Sequence, residues 1–207
     1  MKVVISSYDG YSWLMPIFLH FYKKNWPDNP YQTDFVTETM KIEGENTFCA
    51  GRIPWADKMI KYLESLEDDV FLLFLEEYIL NKKVDTDKIK RAESLCVDNI
   101  GCVRLYDYDG YSRFLIDTKI EGFKEYPLDK PYAASMQASI WQRKFFIDLL
   151  KQGEDIWQSE IGSSKRIHKF GKTVIWNDTP ILSYHVGGYM KKGKVVKSVE
   201  QWVKENW

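Results

Sequence analysis

Six consecutive apolar residues, Val70–Leu75, constrain the fold of this 207-residue chain more than any other stretch. The run has no polar break, follows the acidic triplet 67–69, and is followed at once by Glu76 and Glu77. A short, wholly apolar run between charged residues is typical of a strand buried on both faces, as in the middle of a parallel sheet. The run therefore predicts an α/β fold, and its acidic end lies where open α/β sheets bind their ligands.

The two glutamates after this strand have two interpretations. Adjacent carboxylates at the ligand-binding edge of a sheet can hold a divalent cation, which can in turn hold a phosphate. Glu76 and Glu77 can equally be solvated residues at the point where the chain leaves the sheet. Their position is compatible with both interpretations.

Composition predicts one soluble, globular domain over residues 1–207. Hydrophobic residues make up 44% of the chain and charged residues 29%, which argues against a disordered chain. No apolar run approaches the roughly 20 residues of a membrane span, so we expect no transmembrane segment. The three cysteines lack metal-ligand spacing, and residues 1–5 lead directly into a strand, so we expect a cytoplasmic protein without a signal peptide.

Charge is distributed unevenly along the chain. Residues 141–207 contain 12 Lys or Arg and 7 Asp or Glu, a net of +5, whereas the whole chain carries −1. A basic carboxyl-terminal third can attract a phosphate-bearing ligand or a polyanion such as DNA. An ordinary lysine-rich surface explains the same excess.

Hydrophobic periodicity and turn signals predict the remaining elements. Strands are expected at residues 2–6, 34–37, 101–105, 114–117, 173–176 and 181–185. Helices are expected at residues 12–24, 55–66, 84–97, 133–150 and 199–207, a loop or short helix at 154–160, and loops at 41–54 and 187–194. The strands 101–105 and 114–117 flank a turn at 107–110 and are predicted to form a small antiparallel ribbon beside the main sheet.

The loop after the first strand is expected to contact a nucleoside. It begins Ser6-Ser7-Tyr8-Asp9-Gly10 and matches neither a GxGxxG nor a Walker loop. The hydroxyls of Ser6 and Tyr8 and the carboxylate of Asp9 can form hydrogen bonds with a base edge or a ribose. Trp55 and Asp57, at the start of the predicted helix 55–66, are expected at the same edge of the sheet.

Gln137 and Trp141 are further candidates for contacts to a nucleotide sugar. They are four residues apart in the predicted helix 133–150, so they are expected to share one helix face. Ordinary helix packing explains the same spacing.

Four segments, taken in order, resemble a family of small bacterial and viral glycosyltransferase-like proteins. Residues 55–58 (WADK) followed by residues 70–78 (VFLLFLEEY) resemble the family's WSDR…LLLLEDY stretch. The other three are residues 134–141 (ASMQASIW), which resemble SLQAAIW, residues 153–160 (GEDIWQSE), which resemble GExxWxxE, and residues 185–194 (HVGGYMKKGK), which resemble HxG…KGK. The resemblance as a whole covers roughly residues 1–195, and the quoted segments lie within that range.

This resemblance implies a nucleotide-sugar-dependent glycosyltransferase of the GT-A fold, often metal-assisted. That fold has a Rossmann-like, mixed but mostly parallel central sheet flanked by helices. The chain departs from the family at two positions. Glu77 replaces an aspartate, and its longer side chain shifts the geometry of a metal site or removes the metal. Met136 replaces a leucine, a conservative change in a core.

Glycosyl transfer requires that the departing diphosphate be stabilised as it gains charge. A divalent cation, Mn²⁺ or Mg²⁺, does this by bridging diphosphate oxygens, and the expected ligands are Glu77, Glu76 and His185. His185 can also be a histidine with ordinary partners at a strand end. Lys192 and Lys194 lie in a glycine-rich loop that can close over the diphosphate or be an exposed basic turn.

Transfer also requires that the acceptor hydroxyl lose a proton. By analogy with the family, the expected general base is Glu160, with Glu154 as the alternative. An enzyme that retains the anomeric configuration needs no separate base. Trp157 can stack on a sugar ring or anchor the core.

Three functions are compatible with the sequence. The first is transfer of a sugar from a nucleoside diphosphate sugar, with UDP-sugars expected, to a saccharide or a lipid-linked glycan. The second is a glycosyltransferase that acts on modified DNA bases, for which the basic carboxyl-terminal third and the aromatic residues leave room. The third is a non-catalytic module that binds a nucleotide or sugar and has lost its cation site.

Overall fold

The computed structural model describes residues 1–106, 110–185 and 187–207. Within these residues the strands are β1 (Lys2–Ser6), β2 (Thr33–Thr37), β3 (Asn46–Cys49), β4 (Val70–Leu75), β5 (Ile100–Arg104), β6 (Ile116–Asp117), β7 (Phe123–Tyr126), β8 (Ser139–Gln142), β9 (Thr173–Asn177), β10 (Met190–Lys191) and β11 (Lys194–Val195). The α-helices are α1 (Met15–Asn25), α2 (Trp55–Glu64), α3 (Thr86–Leu95), α4 (Arg143–Leu149), α5 (Ile156–Arg166) and α6 (Lys197–Asn206). Short 3₁₀ helices cover Asp9–Leu14, Ser112–Phe114 and Ile167–Phe170.

Nine of the strands in the described part of the chain form one sheet, in the order β3-β2-β1-β4-β8-β5-β9-β7-β6. Seven of these strands run in the same direction. The exceptions are β8 and β7, each of which pairs antiparallel with both of its neighbours. Strands β10 and β11 form a separate antiparallel ribbon. The predicted α/β class, with a mixed and mostly parallel sheet flanked by helices, is confirmed.

The unbroken apolar run of β4 is explained by burial on both faces of the sheet. Successive side chains of a strand point to opposite faces. The ring of Phe74 lies 5.9 Å from that of Phe18 in α1, and the ring of Phe71 lies 5.2 Å from that of Phe146 in α4. Neither face of β4 is therefore open to solvent, and all its residues from Phe71 onward are buried.

The register between β1 and β4 determines where the site can form. The two strands are parallel neighbours, and their last residues, Ser6 and Leu75, are aligned as partners. The residues that follow the two strands therefore leave the sheet at the same edge. This register brings the loop that begins at Ser7 next to Glu76 and Glu77.

Most predicted helices are present. The predicted helix 12–24 corresponds to the 3₁₀ turn Asp9–Leu14 followed by α1, with Pro16 in the first turn of α1, where it is tolerated. The predictions of α2, α3 and α6 are confirmed to within a few residues. Asp85 caps α3 by accepting a hydrogen bond from the backbone N–H of Lys88. No helix in the described segments is long and apolar enough to cross a membrane.

The prediction of a helix over residues 133–150 is wrong. Residues Ser139–Gln142 form β8, which lies antiparallel between β4 and β5, and only α4 that follows is helical. The inner edges of β4 and β5 need hydrogen-bond partners in a buried sheet, and β8 supplies them. Pairing on both sides outweighs the helix propensity of the alanine-rich sequence before it.

Three shorter predictions also fail. Residues 41–54 are not all loop, because β3 adds a parallel edge strand beside β2. The strand at residues 101–105 does not pair with that at residues 114–117: β5 lies inside the sheet, and β6 pairs with β7. Residues 181–185 form no strand, only an isolated bridge between Tyr184 and Leu80. The turn predicted at 107–110 lies largely outside the described residues.

Candidate functional site

A cleft of about 250 Å³ opens at the shared carboxyl edge of β1 and β4. Its walls come from the loop after β1, the start of α2, the residues after β4, the segment before β8, and the first turns of α5. The lining residues are Ser6, Ser7, Tyr8, Tyr11, Trp55, Lys58, Leu75, Glu76, Glu77, Tyr78, Met136, Ile156, Trp157 and Glu160. The cleft therefore brings together seven of the residues predicted for the site: Ser6, Tyr8, Trp55, Glu76, Glu77, Trp157 and Glu160.

Glu76 is buried at the base of the cleft. Its Oε1 accepts a hydrogen bond of 2.8 Å from the backbone N–H of Tyr8, which ties the end of β4 to the loop after β1. Burial disfavours the charged form and raises the pKa of Glu76 to about 7, although the Tyr8 hydrogen bond and the charge of Lys58 act in the opposite direction. Glu76 is therefore both a structural link and a group that can exchange a proton near neutral pH.

Glu77 lines the cleft with a free carboxylate. Its side chain takes part in no hydrogen bond or ion pair with a described residue. Burial, and then the charge of Glu76, raise the pKa of Glu77 to about 8. Gly188 lies against it with φ +72°, and a Cβ at that glycine would come within 3.1 Å of Glu77 Cγ. The fold thus places an uncompensated acid in the cleft and packs a glycine behind it.

Lys58 supplies a buried positive charge near Glu76. Its side chain is 4% exposed, and its ammonium donates a hydrogen bond of 2.7 Å to the carbonyl oxygen of Ser7. Burial lowers the pKa of Lys58, while the charge of Glu76 acts against that change. Among the described residues that line the cleft, Lys58 is the only one with a basic side chain.

Lys58 is not among the residues predicted for the site, although the sequence contains a signal for it. Lys58 is three residues after Trp55 and four before Tyr62, so all three lie on one face of α2. Tyr62 is buried, and the indole N–H of Trp55 donates a hydrogen bond of 2.8 Å to the hydroxyl of Ser6. A lysine between two inward-facing aromatic residues indicates a buried ammonium with a local partner.

Glu160 approaches the cleft from α5. Its Oε1 accepts hydrogen bonds of 2.9 Å from the backbone N–H of Met136 and 3.1 Å from the hydroxyl of Ser135. Burial raises the pKa of Glu160, and these two hydrogen bonds oppose the rise. The carboxylate is therefore oriented through one oxygen, with its other oxygen unused by the described residues. The helix itself starts with a capping box between Asp155 and Gln158.

The rim of the cleft is aromatic. Trp157 is 62% exposed and Tyr8 is 52% exposed, so neither ring is a core anchor. They lie on walls built from different elements, α5 and the loop after β1. Exposed rings on two walls offer flat apolar surfaces for a sugar or a base.

Three predicted site residues, all acidic, form structural contacts outside this cleft. The carboxylate of Asp9 accepts hydrogen bonds from the backbone of residues 38–40, so it organises the loop after β2. Asp57 accepts a hydrogen bond of 2.7 Å from the backbone N–H of Gly153. Glu154 forms a 2.8 Å ion pair with Arg166.

Gln137 and Trp141 do not share a helix face, because no helix forms there. Gln137 accepts a hydrogen bond of 3.1 Å from the hydroxyl of Tyr184. Trp141 is fully buried in β8, where its ring lies 5.0 Å from that of Phe146. Trp141 therefore belongs to the core and does not line the cleft.

The carboxyl-terminal candidates also lie away from the cleft lining. Lys192 and Lys194 are exposed in the ribbon of β10 and β11. The ring of His185 packs 5.0 Å from that of Trp202 in α6. None of the three residues lines the cleft.

The residues do not fit the predicted metal site. Within the described ranges, no three His, Cys, Asp or Glu side chains form a group that could hold a metal ion. The set Glu76, Glu77 and His185 is therefore not assembled, because His185 packs on α6 while one oxygen of Glu76 is engaged by the Tyr8 amide. The roles of Glu76, Glu77 and His185 as ligands of Mn²⁺ or Mg²⁺ stay a prediction, for which the structure does not bring the three side chains together.

Comparisons with known proteins identify the fold. No protein-family model matches the chain, and no curated protein matches it in sequence. A solved structure of CMP:2-keto-3-deoxy-manno-octonic acid synthetase is similar with a TM-score of 0.61 and 11% identity, over 99% of this chain and 97% of that one. An apo UDP-glucose pyrophosphorylase is similar with a TM-score of 0.54 and 10% identity, over 100% of both chains.

A glycosyltransferase has the same architecture. The mannosyltransferase PcManGT from Pyrobaculum calidifontis is similar with a TM-score of 0.54 and 12% identity, over 89% of this chain and 59% of that one. Similarity at such low identity concerns the fold alone. The chain thus has the GT-A-like fold that nucleotidyltransferases and glycosyltransferases share, with its cleft at the edge of the sheet where β1 and β4 end.

Proposed function

We propose that this protein transfers a sugar from a nucleoside diphosphate sugar to an acceptor hydroxyl on a saccharide or a lipid-linked glycan. The observation that carries the proposal is the convergence of Glu76, Glu77, Glu160 and Lys58 in one cleft with exposed aromatic rims. Buried acids with raised pKa values beside a buried ammonium cost stability, and such groups cluster at functional sites.

The fold supports the class of donor. The mannosyltransferase from Pyrobaculum calidifontis was solved in complex with GDP-Man and Mn²⁺, and the synthetase in complex with CTP. In open α/β sheets, ligands bind at the carboxyl ends of the strands, which is the edge where this cleft opens. We infer that the nucleoside diphosphate lies in the cleft against the loop after β1, with Trp55 and Tyr8 beside the base or ribose.

Transfer breaks the bond between the anomeric carbon and the diphosphate oxygen and forms a bond to the acceptor oxygen. Lys58 is placed to offset the charge that develops on the diphosphate as it leaves. The proton of the acceptor hydroxyl passes to a carboxylate, and we assign that role to Glu160, whose second oxygen is unused. Glu154 is the weaker candidate because its carboxylate is held by Arg166.

Titration calorimetry with UDP, GDP and CDP tests donor binding, with Mn²⁺ in one series and EDTA in the other. We expect at least one of these nucleotides to bind the wild-type protein. Lys58→Met is expected to weaken that binding at least tenfold. Lys61→Met is the matched control, since Lys61 lies on the same helix but donates a hydrogen bond to the carbonyl of Ala50 outside the cleft. Absence of binding in both series would defeat the proposal.

The two metal conditions also test the site's charge balance. Binding in EDTA that matches binding in Mn²⁺ would mean that Lys58 and the protein's own groups are sufficient. Binding that requires Mn²⁺ would mean that Lys58 and the protein's own groups are not sufficient to offset the charge of the diphosphate.

Nucleotidyl transfer is the second candidate, because two nucleotide-sugar-synthesising enzymes match over 97% to 100% of both chains. The loop of residues 6–12 contains no Lys or Arg to hold a triphosphate, which favours the first proposal. Release of pyrophosphate from CTP or UTP in the presence of sugar phosphates would reverse this preference.

A further inference from the structure

A second groove, of about 540 Å³, lies beside α5 next to the cleft. One side comes from the segment before β8 and the other from α5 and the 3₁₀ turn after it. The lining residues are Leu128, Asp129, Lys130, Pro131, Tyr132, Ile161, Ser164, Lys165 and His168. Nothing in the proposed donor site uses this groove.

An apolar stripe on α5 joins the groove to the cleft. Trp157 lines the cleft, and Ile161 lines the groove. They are four residues apart, so they are neighbours on one face of the helix. Their side chains are 62% and 50% exposed, which is unusual for two large apolar residues at neighbouring positions on one helix face. A ligand that extends from the cleft along α5 would therefore cover this stripe.

Tyr132, which also lines the groove, has a backbone conformation that residues with a Cβ rarely adopt. Its φ is +57°, and its side chain is 41% exposed. The guanidinium of the buried Arg104 donates a hydrogen bond to its carbonyl oxygen, which holds the backbone in place. Strained residues held by a buried partner cluster at ligand sites. The fold thus maintains an exposed ring at the edge of the groove at a cost in backbone energy.

The groove carries basic side chains that have no carboxylate partner among the described residues. Asp129 already forms a 2.8 Å ion pair with Lys130. Lys165 and His168 are exposed, and neither takes part in an ion pair between described residues. The groove therefore has two basic side chains available to an anion and no free carboxylate in its described lining.

We propose that this groove binds the acceptor, and that the acceptor is an acidic saccharide whose rings cover Trp157 and Ile161 and whose anionic group meets Lys165 and His168. The inference rests on the proposed function, because it assigns the acceptor of the same reaction. From Trp157 to His168 the chain advances by 11 residues, or about 16 Å along a helix, which suits a short oligosaccharide better than one sugar.

Titration of the 207-residue protein with three hexasaccharides tests this assignment. The probes are hexagalacturonate, which carries carboxylates, a phosphorylated mannohexaose, and neutral maltohexaose. We expect at least one acidic probe to bind at least tenfold more tightly than maltohexaose at low salt. The acidic probe that binds identifies the anionic group as a carboxylate or a phosphate.

Two double variants separate the groove from general surface charge. Lys165→Ala/His168→Ala is expected to abolish the preference for the acidic probe and to leave UDP or GDP binding unchanged. Lys151→Ala/Lys169→Ala is the control, since both lysines are exposed and outside the groove lining. Equal loss in both double variants, or equal binding of acidic and neutral probes, would overturn the assignment.

The donor measurement keeps the two proposals apart. A wild-type protein that binds UDP or GDP but discriminates none of the hexasaccharides retains the proposed function and loses the acidic acceptor. A protein that binds no nucleoside diphosphate but binds the acidic probe through Lys165 and His168 loses the transferase and keeps the groove as an acidic-saccharide site.

Discussion

Replacing Glu77 by glutamine is expected to stabilise the protein at alkaline pH. The carboxyl group of Glu77 has a pKa of about 8 in the folded protein, because burial and the charge of Glu76 disfavour ionisation, against 4.5 for an ordinary glutamate. The folded state therefore binds the proton more tightly than the unfolded state. Stability is lost as the pH rises from about 4.5 to about 8, and the full penalty applies above that range.

The size of the effect follows from the same pKa. At about 1.4 kcal/mol for each tenfold change in proton affinity, a pKa of about 8 in place of 4.5 sets a ceiling of about 5 kcal/mol. Structural relaxation and water entry at a cleft wall reduce this, and we expect about 2 kcal/mol. In a chain of 207 residues that corresponds to a rise in melting temperature of about 4–8 °C.

Thermal melts followed by circular dichroism at pH 5 and pH 9 measure the effect. We expect Glu77→Gln to melt well above the wild type at pH 9 and close to it at pH 5. Glu64→Gln, at an exposed position of α2, is the control and should change neither melt. A variant that melts at or below the wild type at pH 9, or gains equally at both pH values, would refute the reasoning, because Glu77 would then have a stabilising partner.

Three further variants test the walls of the cleft. Gly188→Ala is expected to lower the free energy of unfolding, measured with denaturant, by about 1–2 kcal/mol, because a Cβ at φ +72° is strained and would crowd Glu77. Unchanged stability would contradict the close approach of Gly188 and Glu77. Trp55→Phe removes the hydrogen bond to the buried hydroxyl of Ser6 and should cost about 1–2 kcal/mol in the same assay. Glu160→Gln should leave calorimetric binding of the donor nucleotide intact and lower sugar transfer by about 100-fold or more, and equal loss of both would indicate a structural role.

Much of the fold could be predicted because the strongest signals are local. Six apolar residues between charges identify β4 as a strand buried on both faces, and its two acids mark the ligand-binding edge. The amphipathic pattern of α2 and the cap at Asp85 are equally local. Residues that are close to such an element in sequence, such as Trp55 and Glu76, were therefore assigned to the correct edge.

The failures come from contacts between residues far apart in sequence. The segment of β8 has no strand signal of its own that outweighs the alanines before it, and only pairing with β4 and β5 makes it extended. Trp141 was consequently assigned to a helix face when it belongs to the core. The position of His185 depends on how α6 packs, and no spacing in the sequence records that packing.

The cleft's stability cost and its capacity to bind a donor have one physical origin. Three carboxylates and a single ammonium line one cleft, and their burial removes the water that would otherwise stabilise their charges. The same exclusion of water strengthens the interaction of Lys58 with any phosphate that enters, since charges interact more strongly at low dielectric. Glu77→Gln should therefore raise the stability of the folded protein, whereas Lys58→Met should weaken the binding of the nucleotide. Glutamine at position 77 removes a buried carboxylate that destabilises the folded state. Methionine at position 58 removes the buried ammonium that would interact with the phosphate.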